Sequence, residues 1–167
     1  EDTLANVQSE LTAWAPLNVP TTYDDSIVLY IYPNPVFLDY NGGFPVAKEI
    51  TPDLLDHYNF IEAGITATHG IAFIIEAFGP LTLPSEQKAK ISIFDPLGNK
   101  VGEDQDLRFT FDEDGVIVGL SILKARNFKG RNMARGSYLV VAEVDLIFAD
   151  KETPVQRSLR KVMMITF

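Results

Sequence analysis

Residues 107–148 read LRFTFDEDGVIVGLSILKARNFKGRNMARGSYLVVAEVDLIF, and this stretch decides the fold. Leu107, Phe109 and Phe111 alternate with Arg108, Thr110 and Asp112. Beyond the turn Asp112-Glu113-Asp114-Gly115, Val116, Val118, Leu120 and Ile122 share the next alternating face. A third run sets Tyr138, Val140, Ala142, Val144, Leu146 and Phe148 on one side, with Glu143 and Asp145 on the other. Successive strand side chains point to opposite faces, so this period of two predicts strands with one face on a core.

The flanks continue the pattern. A turn at 151–154 leads into a closing strand at 158–167, the natural hairpin partner of 138–149. On the other side, KAKISIFD at 88–95 alternates and then meets Asp95-Pro96-Leu97-Gly98, the residue order of a type I turn, with Val101 opening a return strand. The run at 66–78 has no period; its β-branched and aromatic content favours a buried strand over a short helix. Residues 26–33 read as an edge strand, because Pro33-Asn34-Pro35 breaks them, and 36–40 as a second short strand before Asn41-Gly42-Gly43. Two helices are expected. One covers 51–63, with Thr51 as N-cap, Pro52 at the first position, Leu54, Leu55, Tyr58 and Ile61 at helical spacing, and Gly64 as the stop. The other covers about 1–14, where Leu4, Val7, Leu11 and Trp14 recur at helical spacing.

These elements predict an all-β, mostly antiparallel fold: an immunoglobulin-like or jelly-roll-like β-sandwich with one or two short helices, about 1–14 and 51–63. Residues 1–20 are expected to form an N-terminal helical arm and 21–167 a single domain. The succession of a strand, the DPLGNKV turn, a Phe-rich strand and Gly136-Ser137-Tyr138 opening a late strand resembles immunoglobulin-like domains over roughly residues 87–150. The resemblance is one of rhythm and carries no family motif.

Bulk properties narrow the function. At 167 residues the chain is long enough for one sizeable core. Its formal net charge of −9 disfavours nucleic acid and anionic membrane as whole-surface partners. With no cysteine there is no disulfide scaffold, thiolate zinc site or cysteine nucleophile. No uncharged apolar run reaches the roughly 18–20 residues of a spanning helix, so no membrane insertion is expected. No signal peptide is visible; the first residue is Glu1 rather than Met, as after removal of a leader or trimming of the chain.

Charge is distributed unevenly. Residues 115–142 contain no acid but hold Lys124, Arg126, Lys129, Arg131 and Arg135. The other nine basic residues face all 23 acids, which leaves the rest of the chain at −14. An acidic body with one basic loop favours docking between copies by charge complementarity. Asn127, Phe128 and Asn132 add hydrogen-bonding and stacking groups to that loop, which would otherwise pair with acids of its own domain. Asp104, Asp106, Asp112 and Asp114 are the candidate calcium ligands, although an EF-hand's spaced loop is missing and a solvated hairpin end accounts for them better. Trp14, Tyr30 and Tyr32 are candidates for stacking on a sugar, against ordinary packing of amphipathic rings. His57 and His69 are the only histidines; neither sits in a nucleophile context, and the motifs do not favour a histidine–carboxylate metal site.

The sequence therefore points to a non-enzymatic structural or assembly subunit of a surface, particle or filament, binding copies of itself or another protein. An extracellular, cell-surface or particle-associated setting suits that role. The alternative is a carbohydrate- or small-ligand-binding module, calcium-assisted, with no other cofactor.

Overall fold

A computed structural model describes residues 27–41 and 44–166; the expected arm at 1–20, its helix and Trp14 lie outside the described residues. The described residues are 52% strand and 7% helix, in two mostly antiparallel sheets. The strands are β1 (Ile27–Tyr32), β2 (Val36–Asn41), β3 (Phe44–Ala47), β4 (Ile71–Ala77), β5 (Lys88–Phe94), β6 (Lys100–Asp104), β7 (Arg108–Phe111), β8 (Ile117–Leu123), β9 (Gly136–Leu146) and β10 (Val155–Thr166). One helix, α1 (Pro52–His57), lies between β3 and β4. The four-stranded sheet has the order β1-β4-β8-β7, and the six-stranded sheet β3-β2-β10-β9-β5-β6. Among the described residues no helix is long and apolar enough to cross a membrane.

The chain changes sheets at Pro33-Asn34-Pro35. β1 is the edge of the smaller sheet, as expected, and β2 joins the larger one by pairing in parallel with β10 through Val36 and Ile165. Proline has no N–H to continue a ladder. The Asn34 side chain takes over: its amide donates to the Val162 carbonyl (3.0 Å) and its oxygen accepts from the Met164 N–H (3.1 Å).

One buried cluster draws on both sheets. Leu29 and Ile31 of β1 and Ile71, Phe73 and Ile75 of β4 pack with Ile91 and Ile93 of β5, Val140, Ala142 and Val144 of β9, and Met163 and Ile165 of β10. Within the run at 66–78, residues 71–77 form strand β4, and their lack of period has a physical cause: both faces are covered. Ala72 and Ile74 point away from the shared core, into a second cluster with Val118 and Leu120 of β8 and with Ile50, Tyr58 and Phe60. Those last three belong to a strap, residues 48–70, that lies across the outer face of the smaller sheet. Phe60 is its deepest anchor, and a phenyl ring so buried contributes about 1.5–3 kcal/mol.

The strap differs from expectation. The helix expected over 51–63 stops at His57, and the Thr51 side chain makes no cap hydrogen bond. Asn59 enters the left-handed region (φ 57°), which a helix cannot continue, and its amide donates to the Phe111 carbonyl (2.7 Å). Ile61, placed on the helix's apolar face by spacing, is 74% exposed. β8 also differs from a strand with one face on a core. Val118, Leu120 and Ile122 face the strap, while Gly119 and Ser121, opposite Ile75 and Phe73 of β4, face the inter-sheet core. A Cβ on Gly119 would lie 2.7 Å from the Phe109 ring, so the glycine makes room for that ring.

Candidate functional site

The basic loop is a rigid finger. It joins β8 to β9, folds back on itself through a bridge between Arg126 and Asn132, and is held below by the Met133 N–H bonding to the Ala125 carbonyl (2.9 Å). Ala125 and Met133 are buried in the main core. At the tip, the Asn127 side-chain oxygen accepts from the N–H groups of Lys129 (2.9 Å) and Arg131 (3.0 Å), with Gly130 at φ 77°. At the base, the Tyr138 hydroxyl donates to the Ala134 carbonyl (2.7 Å), and burial raises the Tyr138 pKa. Lys124, Arg126, Lys129, Arg131 and Arg135 are exposed, and Phe128 stands 61% exposed among them. Among the described residues, Lys124, Arg126, Lys129 and Arg131 make no ion pair with an acid. The carboxylates of the acidic turn lie elsewhere.

They lie at the other end of β8. That strand's seven residues separate the finger from the Asp112–Gly115 turn by roughly 20 Å. Two further loops stand beside that turn. The register of Glu76 with Val118 brings the β4–β5 loop, 78–87, to the same end, and Lys88 opposite Asp145 brings the β9–β10 loop with it. These two loops are stitched together: Leu81 bridges Phe148, the Thr82 N–H donates to the Ile147 carbonyl (3.1 Å) and the Ala149 N–H to the Pro80 carbonyl (2.6 Å). Buried Gln87 completes the seam. Its amide donates to the Thr82 hydroxyl (3.1 Å) and the Leu83 carbonyl (3.0 Å), while its oxygen accepts from the Ile147 N–H (2.7 Å). The three loops form a rim with Glu86, Asp112, Glu113, Asp114, Asp150 and Glu152 against one cation, Lys151. Exposed Phe78, Leu83 and Phe111 belong to the same end. The rim's net charge is −5, the finger's +5.

Within the rim, the strap grips the acidic turn. The His57 Nδ1–H donates to Glu113 Oε2 (2.6 Å), and the Glu113 N–H donates to the His57 carbonyl (2.9 Å). The His57 Nε2 lies 4.0 Å from Asp112 Oδ2. The hydrogen bond to Glu113 raises the His57 pKa; partial burial opposes this, and the charges of Glu113, Asp112 and Asp114 add to the rise. Nearby Tyr58 is pushed up to about 12, chiefly by burial and then by the charge of Glu76. Burial, followed by the Asp112 charge, raises Glu76 itself.

The remaining candidates separate. Asp104 accepts from the Ser121 hydroxyl (2.6 Å) and Asp106 sits beside it before β7, whereas Asp112 and Asp114 follow β7, roughly 20 Å away along an extended chain. The four aspartates expected to share calcium are not brought together. Tyr30 and Tyr32 stack at 6.1 Å between centroids on the outer face of β1, with the Lys161 ammonium over Tyr30. A groove of ≈ 540 Å³ on the larger sheet, lined by Lys88, Lys90, Glu143, Asp145, Gln156 and Arg157 among others, contains no aromatic residue and lies on the other sheet from that tyrosine pair. Sequence reasoning did not find Gln87 or the union of three loops into one rim; only the turn signals at 79–80 and 151–154 mark those loops. Comparison of the chain with protein-family models, curated proteins and solved structures gives no match.

Proposed function

We propose that this chain is a non-enzymatic, immunoglobulin-like β-sandwich that works by assembly, its basic finger docking on the acidic rim of the next copy. The observation that carries the reading is the pair of rigid, oppositely charged surfaces at opposite ends of β8. A contact between unlike ends is heterologous, and repeats into chains unless its rotation closes a ring. An exposed aromatic flanked by arginines is the composition of an interface hot spot, and the rim's Phe78, Leu83 and Phe111 offer it apolar partners. Loops braced by their own hydrogen bonds lose little entropy on docking.

The immunoglobulin reading rests on two features. The order β1-β4-β8-β7 corresponds to strands A-B-E-D, and β10-β9-β5-β6 to G-F-C-C′, with β2 as a continuation of A alongside G. Tyr138, near the start of the strand in position F and bonded to a carbonyl four residues upstream, fits the tyrosine corner of such domains. The strap and β3 are then an insertion between A and B. A carbohydrate site is less well supported, because the tyrosine pair and the polar groove lie on different sheets.

Light scattering after size exclusion tests the proposal. At low salt the chain is expected to run as a concentration-dependent assembly that loosens at high salt, since exposed charge pairs are screened. The substitutions Arg126→Glu, Lys129→Glu and Arg131→Glu together are expected to give a folded monomer. A wild-type chain that is monomeric throughout, or a triple variant that assembles normally, would refute the docking reading.

A further inference from the structure

The grip of the strap on the rim has a geometry beyond that of a salt bridge. Asp112 is a buried carboxylate, its side chain only 3% exposed. Its Oδ1 is fully engaged, accepting from the N–H groups of Asp114 (2.9 Å) and Val116 (2.9 Å). Its Oδ2 has no hydrogen-bond partner among the described residues and points at His57 Nε2 from 4.0 Å. The imidazole is fixed from behind: a carboxylate can only accept, so Nδ1 carries the proton shared with Glu113 Oε2 at 2.6 Å. In the neutral ring that tautomer leaves the Nε2 lone pair facing Asp112. A carboxylate holding one ring nitrogen while the other faces outward is the usual way a metal-binding histidine is oriented. Asp114, exposed on the same turn, completes the set: one donor atom each from His57, Asp112 and Asp114 lie within 4.8 Å of one another. Among the described residues no lysine or arginine forms an ion pair with Asp112, Glu113 or Asp114.

We propose that His57 Nε2, Asp112 Oδ2 and a carboxylate oxygen of Asp114 bind a divalent transition-metal ion, zinc being the best fit, with Glu113 as the positioning residue for the imidazole. One imidazole nitrogen with two carboxylate oxygens is a borderline donor set that suits zinc. Calcium takes six to eight oxygen ligands and has no use for the nitrogen. Donor atoms about 2.1 Å from a tetrahedral ion lie about 3.4 Å apart. The His57–Asp112 gap closes to that value by about half an ångström, and the free Asp114 side chain swings in from solvent. The ion would join strap to turn across 55 residues of sequence, and three protein donors leave a fourth position for water. This inference is independent of docking between copies, and a monomeric chain would leave it intact.

Isothermal titration of the full chain with zinc chloride at neutral pH tests it, together with histidine side-chain NMR. One ion per chain is expected, with the His57 resonances shifted, those of His69 unmoved, and a higher melting temperature. His57→Gln and Asp114→Asn are each expected to weaken binding at least tenfold. Both positions are partly or fully exposed and Asp114 makes no side-chain bond among the described residues, so these variants are expected to fold. Glu113→Gln is expected to weaken binding about tenfold, as loss of an orienting carboxylate does elsewhere, and calcium chloride to cause no shift. Absence of saturable zinc binding, undiminished binding in His57→Gln, or NMR shifts centred on His69 would overturn the assignment.

Discussion

The finger and the rim are opposite ends of one sandwich-like body, built by different means to the same mechanical effect. The finger is a single loop stiffened by its own turn: Asn127 organises the tip, and Tyr138 ties the base to Ala134. The rim is three loops from distant parts of the chain, joined by Gln87 and by the strap's hold on Glu113. Charge differs in the same way. The finger's +5 comes from one short stretch, whereas the rim's −5 is gathered from three. Local order thus makes one surface and long-range packing the other, and they should fail differently when perturbed.

The largest effect is expected from reversing charge at Arg126, Lys129 and Arg131. Juxtaposing like charges costs several kcal/mol at an interface, so association should weaken at least a hundredfold by light scattering. Stability should stay within about 0.5 kcal/mol per substitution, since these side chains are exposed. The next largest is Gln87→Ala. It strands the partly buried Ile147 N–H and removes the bonds to Thr82 and Leu83; a loss of about 2–3 kcal/mol in urea unfolding is expected. If the rim tolerates that change without loss of stability, its loops are held by something other than this seam.

Alkaline pH separates the two ends next. An unfolded tyrosine titrates near 10, while Tyr58 in the folded chain titrates at about 12 because burial disfavours the phenolate. Its folded pKa is raised, so its contribution to stability is complete below pH 10 and is lost as pH rises from 10 through 12. Ultraviolet phenolate absorbance should therefore show Tyr58 among the last tyrosines to ionise, with unfolding setting in over that window. The smallest effect belongs to the finger's base. Tyr138→Phe deletes one hydrogen bond and should cost about 1 kcal/mol, with weaker assembly from a looser finger.

Much of the fold was legible because alternation reports burial of one face. β5, β9 and β10 follow it, with Ile91, Ile93, Val140, Ala142, Met163 and Ile165 inward. It misleads where a third layer intervenes. The regular set Val118, Leu120 and Ile122 faces the strap, and the inter-sheet face of β8 carries Gly119 and Ser121 because Phe109 fills that space. The helix over 51–63 was overextended because spacing cannot register Asn59 turning left-handed to bond Phe111. Of the candidate site, the finger was visible as a gap in the acids. That Lys124, Arg126, Lys129 and Arg131 make no ion pair among the described residues was not, because that depends on β8 carrying them away from the rim. His57 and Asp112 meet only through the strap's path across the sheet, and no local spacing encodes that encounter.

The central claim is that finger meets rim. It is tested most directly by mixing two variants that should each be monomeric: one with Arg126, Lys129 and Arg131 changed to glutamate, the other with Glu86, Asp150 and Glu152 changed to lysine. The first keeps a native rim and the second a native finger, so the account expects the equimolar mixture to associate, with light scattering giving at least twice the monomer mass at low salt. A mixture that stays monomeric under conditions where the wild-type chain assembles would contradict it.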